Sequence, residues 1–380
     1  MKILPLPEIH IGAESLDMLI PSVERVSAER VLVVTDPGIV AAGIYDEIKE
    51  IFDVAKLDVV LFDRVEPDPG IRLVEELVEI ARSERVDAVI ALGGGSSIDA
   101  AKVSAALVEN EGSVRDYIGI DLLKRPGLPT VILPTTAGTG SEVTPVAILS
   151  DEEEHLKKGI SSPKLIPTVA LLNPAFTVKM PPSVTAFTGM DALIHALEAF
   201  TSVNATDFSD SIALRAVRLI SENIRTAFTD GENRRAREAM LLGSLMAGIA
   251  FANAGVAAVH AFAYPLGGTF HIPHGLANSV ILPVIMEYNM AGNEKKYIEL
   301  VRAMTGEYAD DTGPEAAVAF INTLSDDLKI PRNLKALDIP ESAIEKMAEG
   351  AIQVTRLLAN NPRKIDLDDA RRIYTDAYNR

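Results

Sequence analysis

Histidine is scarce in this chain of 380 residues, which contains six. Three of them, with one aspartate, stand in two runs that could hold a metal ion. Asp191-Ala-Leu-Ile-His195 places a carboxylate and an imidazole at i and i+4. On a helix both leave one face, about 6 Å apart at Cβ. Downstream, His260 and His274 lie fourteen residues apart, in a run ending Phe270-His271-Ile272-Pro273-His274-Gly275. One carboxylate and three imidazoles form a mixed oxygen and nitrogen donor set. Such a set suits divalent iron or zinc better than calcium or magnesium. A single histidine on an apolar face is more often a packed core residue, so the expectation rests on the whole set and on a second motif.

That second motif is a pair of loops that could cradle a dinucleotide. The apolar run Asp87–Leu92 leads into Gly93-Gly94-Gly95-Ser96-Ser97-Ile98-Asp99, with a helix expected from about Ala100. Glycines between a strand and a helix let a pyrophosphate approach the backbone, and the helix N-terminus offers free N–H groups. The plainer alternative is a tight turn with a capping box of Ser96 and Asp99. The next strand runs into Thr135-Thr136-Ala137-Gly138-Thr139-Gly140-Ser141-Glu142. Ligands of open parallel sheets bind at the carboxyl ends of the strands, where both loops fall. Asp36 ends a third apolar run. A carboxylate there could accept from ribose hydroxyls and repel a 2′-phosphate, or it could simply cap the segment that begins at Pro37.

These residues need a scaffold. Residues 30–36, 59–62, 87–92, 130–133 and 169–172 read as buried strands. Leu73, Val74, Leu77, Val78 and Ala81 repeat as an amphipathic helix does. Continuous apolar strands alternating with helices predict a Rossmann-like parallel sheet covered on both faces. After Met180-Pro-Pro-Ser183 the pattern is helical throughout. The expected fold is therefore an α/β dinucleotide-binding domain over 1–182 and an all-α metal-binding domain over 183–380, with the ligand site in a cleft between them.

Composition narrows the function. The formal net charge is −18 and the sequence pI about 4.8, which argues against nucleic acid and anionic membrane surfaces as partners. There is no cysteine, so disulfides, thiolate catalysis and iron–sulfur clusters are excluded. Residues 240–264 carry no Asp, Glu, Lys or Arg over 25 positions. That length could span a membrane, but an isolated run rich in Ala and Gly is expected to be a central core helix instead. The opening residues lack the apolar core of a signal peptide, and a cytoplasmic enzyme is the expectation.

Taken together, these motifs resemble the iron-containing (group III) alcohol dehydrogenase family. The matching pieces are the 93–99 loop, Thr135–Thr144, Gly189-Met-Asp-Ala-Leu-Ile-His-Ala-Leu-Glu198, Pro273-His-Gly-Leu-Ala-Asn278, Asn361-Pro362-Arg363 and the tail helix near 368–378. They follow one another in family order across the whole chain. The resemblance implies that Asp191, His195, His260 and His274 hold the metal, normally Fe²⁺, with Zn²⁺ or another divalent ion as alternatives. It implies that Gly94, Gly95, Ser96 and Asp99, then Thr135, Thr136 and Thr139, meet the cofactor, and that Lys157 contacts its ribose. Asp36 matches the position that favours NAD over NADP. The implied reaction is hydride transfer between a short primary alcohol or diol and nicotinamide, by a homodimer or larger homo-oligomer. A zinc polyol dehydrogenase of the glycerol type and a lyase of the dehydroquinate synthase type are the alternatives. The lyase needs a basic phosphate pocket, and no Lys/Arg cluster adjoins the histidine runs.

The chain departs from the family where many members carry a second histidine, four residues beyond the third ligand. Tyr264 stands there instead, with His271 nearby. An imidazole titrates nearer neutrality than a phenol and makes the better proton shuttle, so His271 is expected to relay protons in preference to Tyr264. Val146 and Phe251 are expected to line an apolar substrate pocket. Asn173-Pro174 replaces the usual Asp-Pro.

Overall fold

Uninterrupted runs of Val, Ile, Leu and Ala can be strands only where both faces of the sheet are covered, and that is where they lie. The computed structural model describes residues 3–153, 156–306 and 313–380. The chain divides into two compact units, residues 3–180 and 181–380. The first contains β1 (Glu8–Ile11), α1 (Leu19–Arg25), β2 (Arg30–Val34), α2 (Pro37–Ala41), α3 (Ile44–Ala55), β3 (Asp58–Phe62), α4 (Ile71–Ser83), β4 (Ala88–Gly93) and α5 (Gly95–Val108). It continues with β5 (Gly119–Ile120), β6 (Thr130–Pro134), β7 (Val146–Asp151), β8 (Leu156–Ser161), β9 (Val169–Leu172) and α6 (Ala175–Val178).

Among the described residues β1-β9-β6-β4-β2-β3 form one parallel sheet, in that order. Alternate side chains feed two separate cores. Leu32, Val34, Val89 and Ala91 pack on one face, and Val31, Val33, Ala88, Ile90 and Leu92 on the other. The five strands expected from composition are all in this sheet. The edge strand β1 and the small sheet β5-β8-β7 were not expected. β8 reads Leu-Lys-Lys-Gly-Ile-Ser and is mostly half-exposed, so no apolar run marks it.

The second unit is helical: α7 (Pro182–Thr201), α8 (Asp207–Thr229), α9 (Arg234–Ala254), α10 (Ala258–Phe270), α11 (His274–Met290), α12 (Glu294–Thr305), α13 (Glu315–Asp327), α14 (Ile344–Ile352), α15 (Thr355–Leu358) and α16 (Leu367–Asn379). The uncharged 240–264 stretch is two helices rather than one. It breaks at Gly255, whose φ is +82°, and α9 and α10 diverge by 106°. Among the described residues no single helix is long and apolar enough to cross a membrane. Most of both helices is buried in the unit's core.

Candidate functional site

Helix α7 presents Asp191, His195 and Glu198 at i, i+4 and i+7, and all three are buried. Helix α11 starts against the same face because residue 275 is glycine. A Cβ there would stand 2.1 Å from the Phe187 carbonyl oxygen, a distance no side chain tolerates. This close approach delivers His274 to Asp191, and the first turn of α10 delivers His260. Asp191 Oδ1 lies 3.8 Å from His260 Nε2 and 3.8 Å from His274 Nε2, while Oδ2 lies 4.0 Å from His195 Nδ1. The ligand atoms of Asp191, His195 and His260 all fall within 4.8 Å of one another. These separations are too long for hydrogen bonds and short enough for several atoms to share one cation. Among the described residues, His260 Nε2 is buried with no hydrogen-bond partner. An imidazole nitrogen left in that state is costly unless a ligand takes it.

Burial opposes the charge on Asp191, yet His195, His274, His260 and a 2.8 Å hydrogen bond from Asn278 Nδ2 outweigh it and hold the carboxyl below its ordinary range. The site is closed on three sides. The side chains of Asp191, His195 and His260 are 4–8% exposed, that of His274 31%. The donor set, the unpartnered nitrogen and the ionised carboxylate fit a divalent metal.

Glu198 had no role assigned from sequence, and it organises the site. Its Oε2 accepts from His260 Nδ1 at 2.5 Å and from Ala257 N at 3.0 Å, and its Oε1 accepts from Val259 N at 2.6 Å. One carboxylate thus caps α10 and orients His260, the candidate ligand on its first turn. Pinning Nδ1 leaves Nε2 turned to the metal position, the arrangement that outer carboxylates impose on metal-binding histidines. The sequence signal was present: Glu198 extends the Asp191–His195 stripe by one more turn of an otherwise apolar helix.

Most of the cofactor candidates gather at the carboxyl ends of β2, β4 and β6. Asp36 Oδ1 accepts from Gly38 N and Ile39 N and caps α2. Its Oδ2 faces Ser97 Oγ at 3.5 Å, over the Gly93 turn. Helix α5 starts at Gly95, about five residues earlier than expected, with no side chain on its N-cap Gly94. The Ser96–Asp99 capping box does not form. Ser96 Oγ instead accepts from Asp68 N at 3.2 Å, while Asp99 turns toward Ser141 and Ile148. The two loops touch. A Cβ on Gly95 would stand 2.5 Å from Thr139 Cγ2, and one on Gly94 3.2 Å from Thr136. Thr135 lies buried behind them, bonded through N to Gly93 O at 3.0 Å. Lys157, on β8, reaches Asp68 Oδ1 at 2.7 Å.

Comparison with known proteins decides the family. The iron-containing alcohol dehydrogenase profile matches residues 7–174, and that of the Fe-containing alcohol dehydrogenase C-terminal region matches 185–378. The chain belongs to the iron-containing alcohol dehydrogenase family. It is 42% identical to long-chain-alcohol dehydrogenase 1 of Geobacillus thermodenitrificans, over 98% of this chain and 95% of that one. It is 33% identical to the NAD-dependent methanol dehydrogenase of Bacillus methanolicus, over 98% of each. A solved structure of 1,3-propanediol oxidoreductase matches all of both chains with a TM-score of 0.96 at 35% identity. As an iron-containing alcohol dehydrogenase this protein is an oxidoreductase, and membership implies a metal and NAD(H). The polyol and lyase alternatives are not favoured.

Within this alcohol dehydrogenase the remaining candidates are placed unequally. The Phe251 ring stacks on His195 at 4.5 Å, and the Tyr264 ring lies 6.3 Å from that of His274. His271 is exposed at the C-cap of α10, with φ +55°. Val146 opens β7, and its carbonyl accepts from Lys102, a residue the sequence did not single out.

Proposed function

We propose that the protein interconverts a short primary alcohol or diol with its aldehyde, using NAD and a divalent metal, Fe²⁺ in preference to Zn²⁺ or others. The observation that carries this reading is the buried Asp191–His195–His260 cluster with the unpartnered His260 Nε2, completed by His274. When bound, the metal supplies Lewis-acid polarisation of the substrate oxygen and the dinucleotide supplies the hydride acceptor. The four side chains hold the ion, and Glu198 keeps His260 in the ligating tautomer. Phe251, stacked on His195, offers apolar surface to the substrate carbons. Gly94, Gly95, Ser96, Asp99, Thr135, Thr136, Thr139 and Lys157 serve the dinucleotide, with Asp36 selecting NAD over NADP. We further propose a cytoplasmic homodimer or larger homo-oligomer.

The test is a cofactor-coupled assay on primary alcohols from methanol to long chains and on 1,3-propanediol, with NAD and with NADP, before and after chelation. Turnover should require metal and favour NAD. The Asp36→Gly variant should narrow the NAD/NADP ratio of kcat/KM by roughly tenfold or more, while the lost α2 cap costs only a few tenths of a kcal/mol. Metal-independent turnover refutes the mechanism, and a wild-type preference for NADP refutes the role of Asp36.

The proton released from the substrate hydroxyl is assigned to His271, whose exposed imidazole can exchange with bulk water. Tyr264 is assigned to the wall beside His274. His271→Gln should lower kcat by roughly 10²-fold, whereas Tyr264→Phe should leave kcat within about threefold of wild type. The opposite pattern transfers the role to Tyr264.

A further inference from the structure

Residues 360–363 follow α15, and hydrogen bonds tie them to the ends of the three helices that carry Asp191, His195, His260 and His274. The corner between α9 and α10 aims His260. It turns at Gly255, where φ is +82° and a Cβ would stand 2.5 Å from Asn360 Nδ2. Glycine is needed there on both counts. Asn360 Nδ2 donates to the Val256 carbonyl at 2.8 Å, one helical turn before His260. Its Oδ1 accepts from Asn204 Nδ2 at 2.8 Å, and its backbone carbonyl accepts from Val203 N at 3.0 Å. Ser202 Oγ donates to the Ala254 carbonyl at 2.6 Å. Residues 202–204 follow directly on α7, the helix of Asp191 and His195. Asn361 ties the same segment to α11. Its side-chain amide pairs reciprocally with that of Asn289, at 2.8 Å in each direction, and both residues are buried. Arg363 donates to the Tyr288 carbonyl and lies over the Tyr288 ring at 4.0 Å.

We infer that Asn360 is a positioning residue for the metal site: it locks the Gly255 corner to the end of α7, while Asn361 seats it against α11. This inference rests on the metal reading of the four ligands. Asp191 and His195 share one helix, so their spacing is local. His260 arrives from another helix after a sharp turn, and its place beside them is set by whatever holds that turn. Backbone groups at a corner have no helical partners and must find others. Glu198 takes the Ala257 N–H, Ser202 the Ala254 carbonyl and Asn360 the Val256 carbonyl. Asn360 must donate to one chain segment and accept from another at once. A side-chain amide does both, and a carboxylate or an alkyl group does not.

The experiment compares wild type, Asn360→Ala, Asn360→Asp, Asn204→Ala and the double alanine variant, all as the full chain. Chelator competition gives the Co²⁺ affinity, visible absorption of the Co²⁺-loaded protein reports the ligand field, and melting of the metal-free protein reports stability. Co²⁺ Kd should rise roughly tenfold in Asn360→Ala. Asn360→Asp should match it, because Asp keeps the size and the Asn204 bond but turns an acceptor on the Val256 carbonyl. The absorption bands should shift in both. Adding Asn204→Ala to Asn360→Ala should change Kd by no more than about twofold, since Asn204 acts through Asn360. A clasp that serves stability alone would lower the melting temperature and leave Co²⁺ Kd and the bands as in wild type, and that result overturns the inference. Where Asn360→Ala fails to fold, the exposed change Asn204→Ala decides: a rise in Kd of about threefold supports the inference, and an unchanged Kd overturns it. A wild-type chain that binds no Co²⁺ overturns the metal reading itself.

Discussion

His195→Ala is expected to lose bound metal and turnover together. In the proposed site His195 is one of four donors, and it is stacked between Phe251 and His260, with ring centroids 4.5 and 4.6 Å away. With three donors left, the cation is no longer held at the position the substrate oxygen must reach. Lewis-acid stabilisation amounts to several kcal/mol, which corresponds to a fall in kcat/KM of about 10²–10⁴-fold. The fold should persist. Truncation leaves a cavity between two rings but strands no polar group that Glu198 holds, so the expected loss of stability is about 1–3 kcal/mol. Metal analysis after gel filtration, kinetics and a melting curve measure these three quantities on one sample. Wild-type metal content with wild-type turnover in the variant would remove His195 from the ligand set.

Glu198→Ala should be the most destabilising single substitution near the site. It leaves Ala257 N, Val259 N and His260 Nδ1 without the acceptor they share, all three buried. Breaking a buried, hydrogen-bonded charge cluster of this kind costs about 3–5 kcal/mol, with each orphaned donor adding its own desolvation penalty. His260 has a second stake in the pair. Burial disfavours its protonated form, but the charge and hydrogen bond of Glu198, with Asp191, outweigh that and raise its pKa. Glu198→Gln is the gentler probe. It preserves shape but turns one acceptor into a donor facing other donors. Metal affinity should fall about 10–100-fold by chelator competition, in a chain that still folds. A Glu198→Gln protein that binds metal as wild type does would show that the carboxylate serves the α10 cap alone.

How much of this was legible differs from residue to residue. The Asp191–His195 pair was visible because helical spacing is local: the 3.6-residue period puts i and i+4 on one face whatever surrounds the helix. Strands 30–34 and 88–93 were visible because a strand buried on both faces must be apolar at every position. By the same reasoning β8 was invisible. Its Lys-Lys-Gly core carries no burial pattern, and antiparallel pairing with β7 gives it its conformation. The break at Gly255 was also hidden, since an uncharged run looks alike as one long helix or as two.

Sequence by itself determined the inventory: a scarce set of metal-type donors, two glycine and hydroxyl loops at strand ends, no thiols, and an α/β half followed by a helical half. Only the tertiary structure decided which polar groups act together. Glu198 meets its backbone partner at Val259 across 61 residues, and Lys102 meets Val146 across 44. The periodicity of an element reports that a face is buried, but not what it is buried against. For a buried charge that partner settles everything, because an ionised group persists in a low-dielectric interior only when its hydrogen bonds are met. The same carboxylate or ammonium is a surface charge, a helix cap or a ligand-orienting anchor according to the chain segment that packing brings within 3 Å.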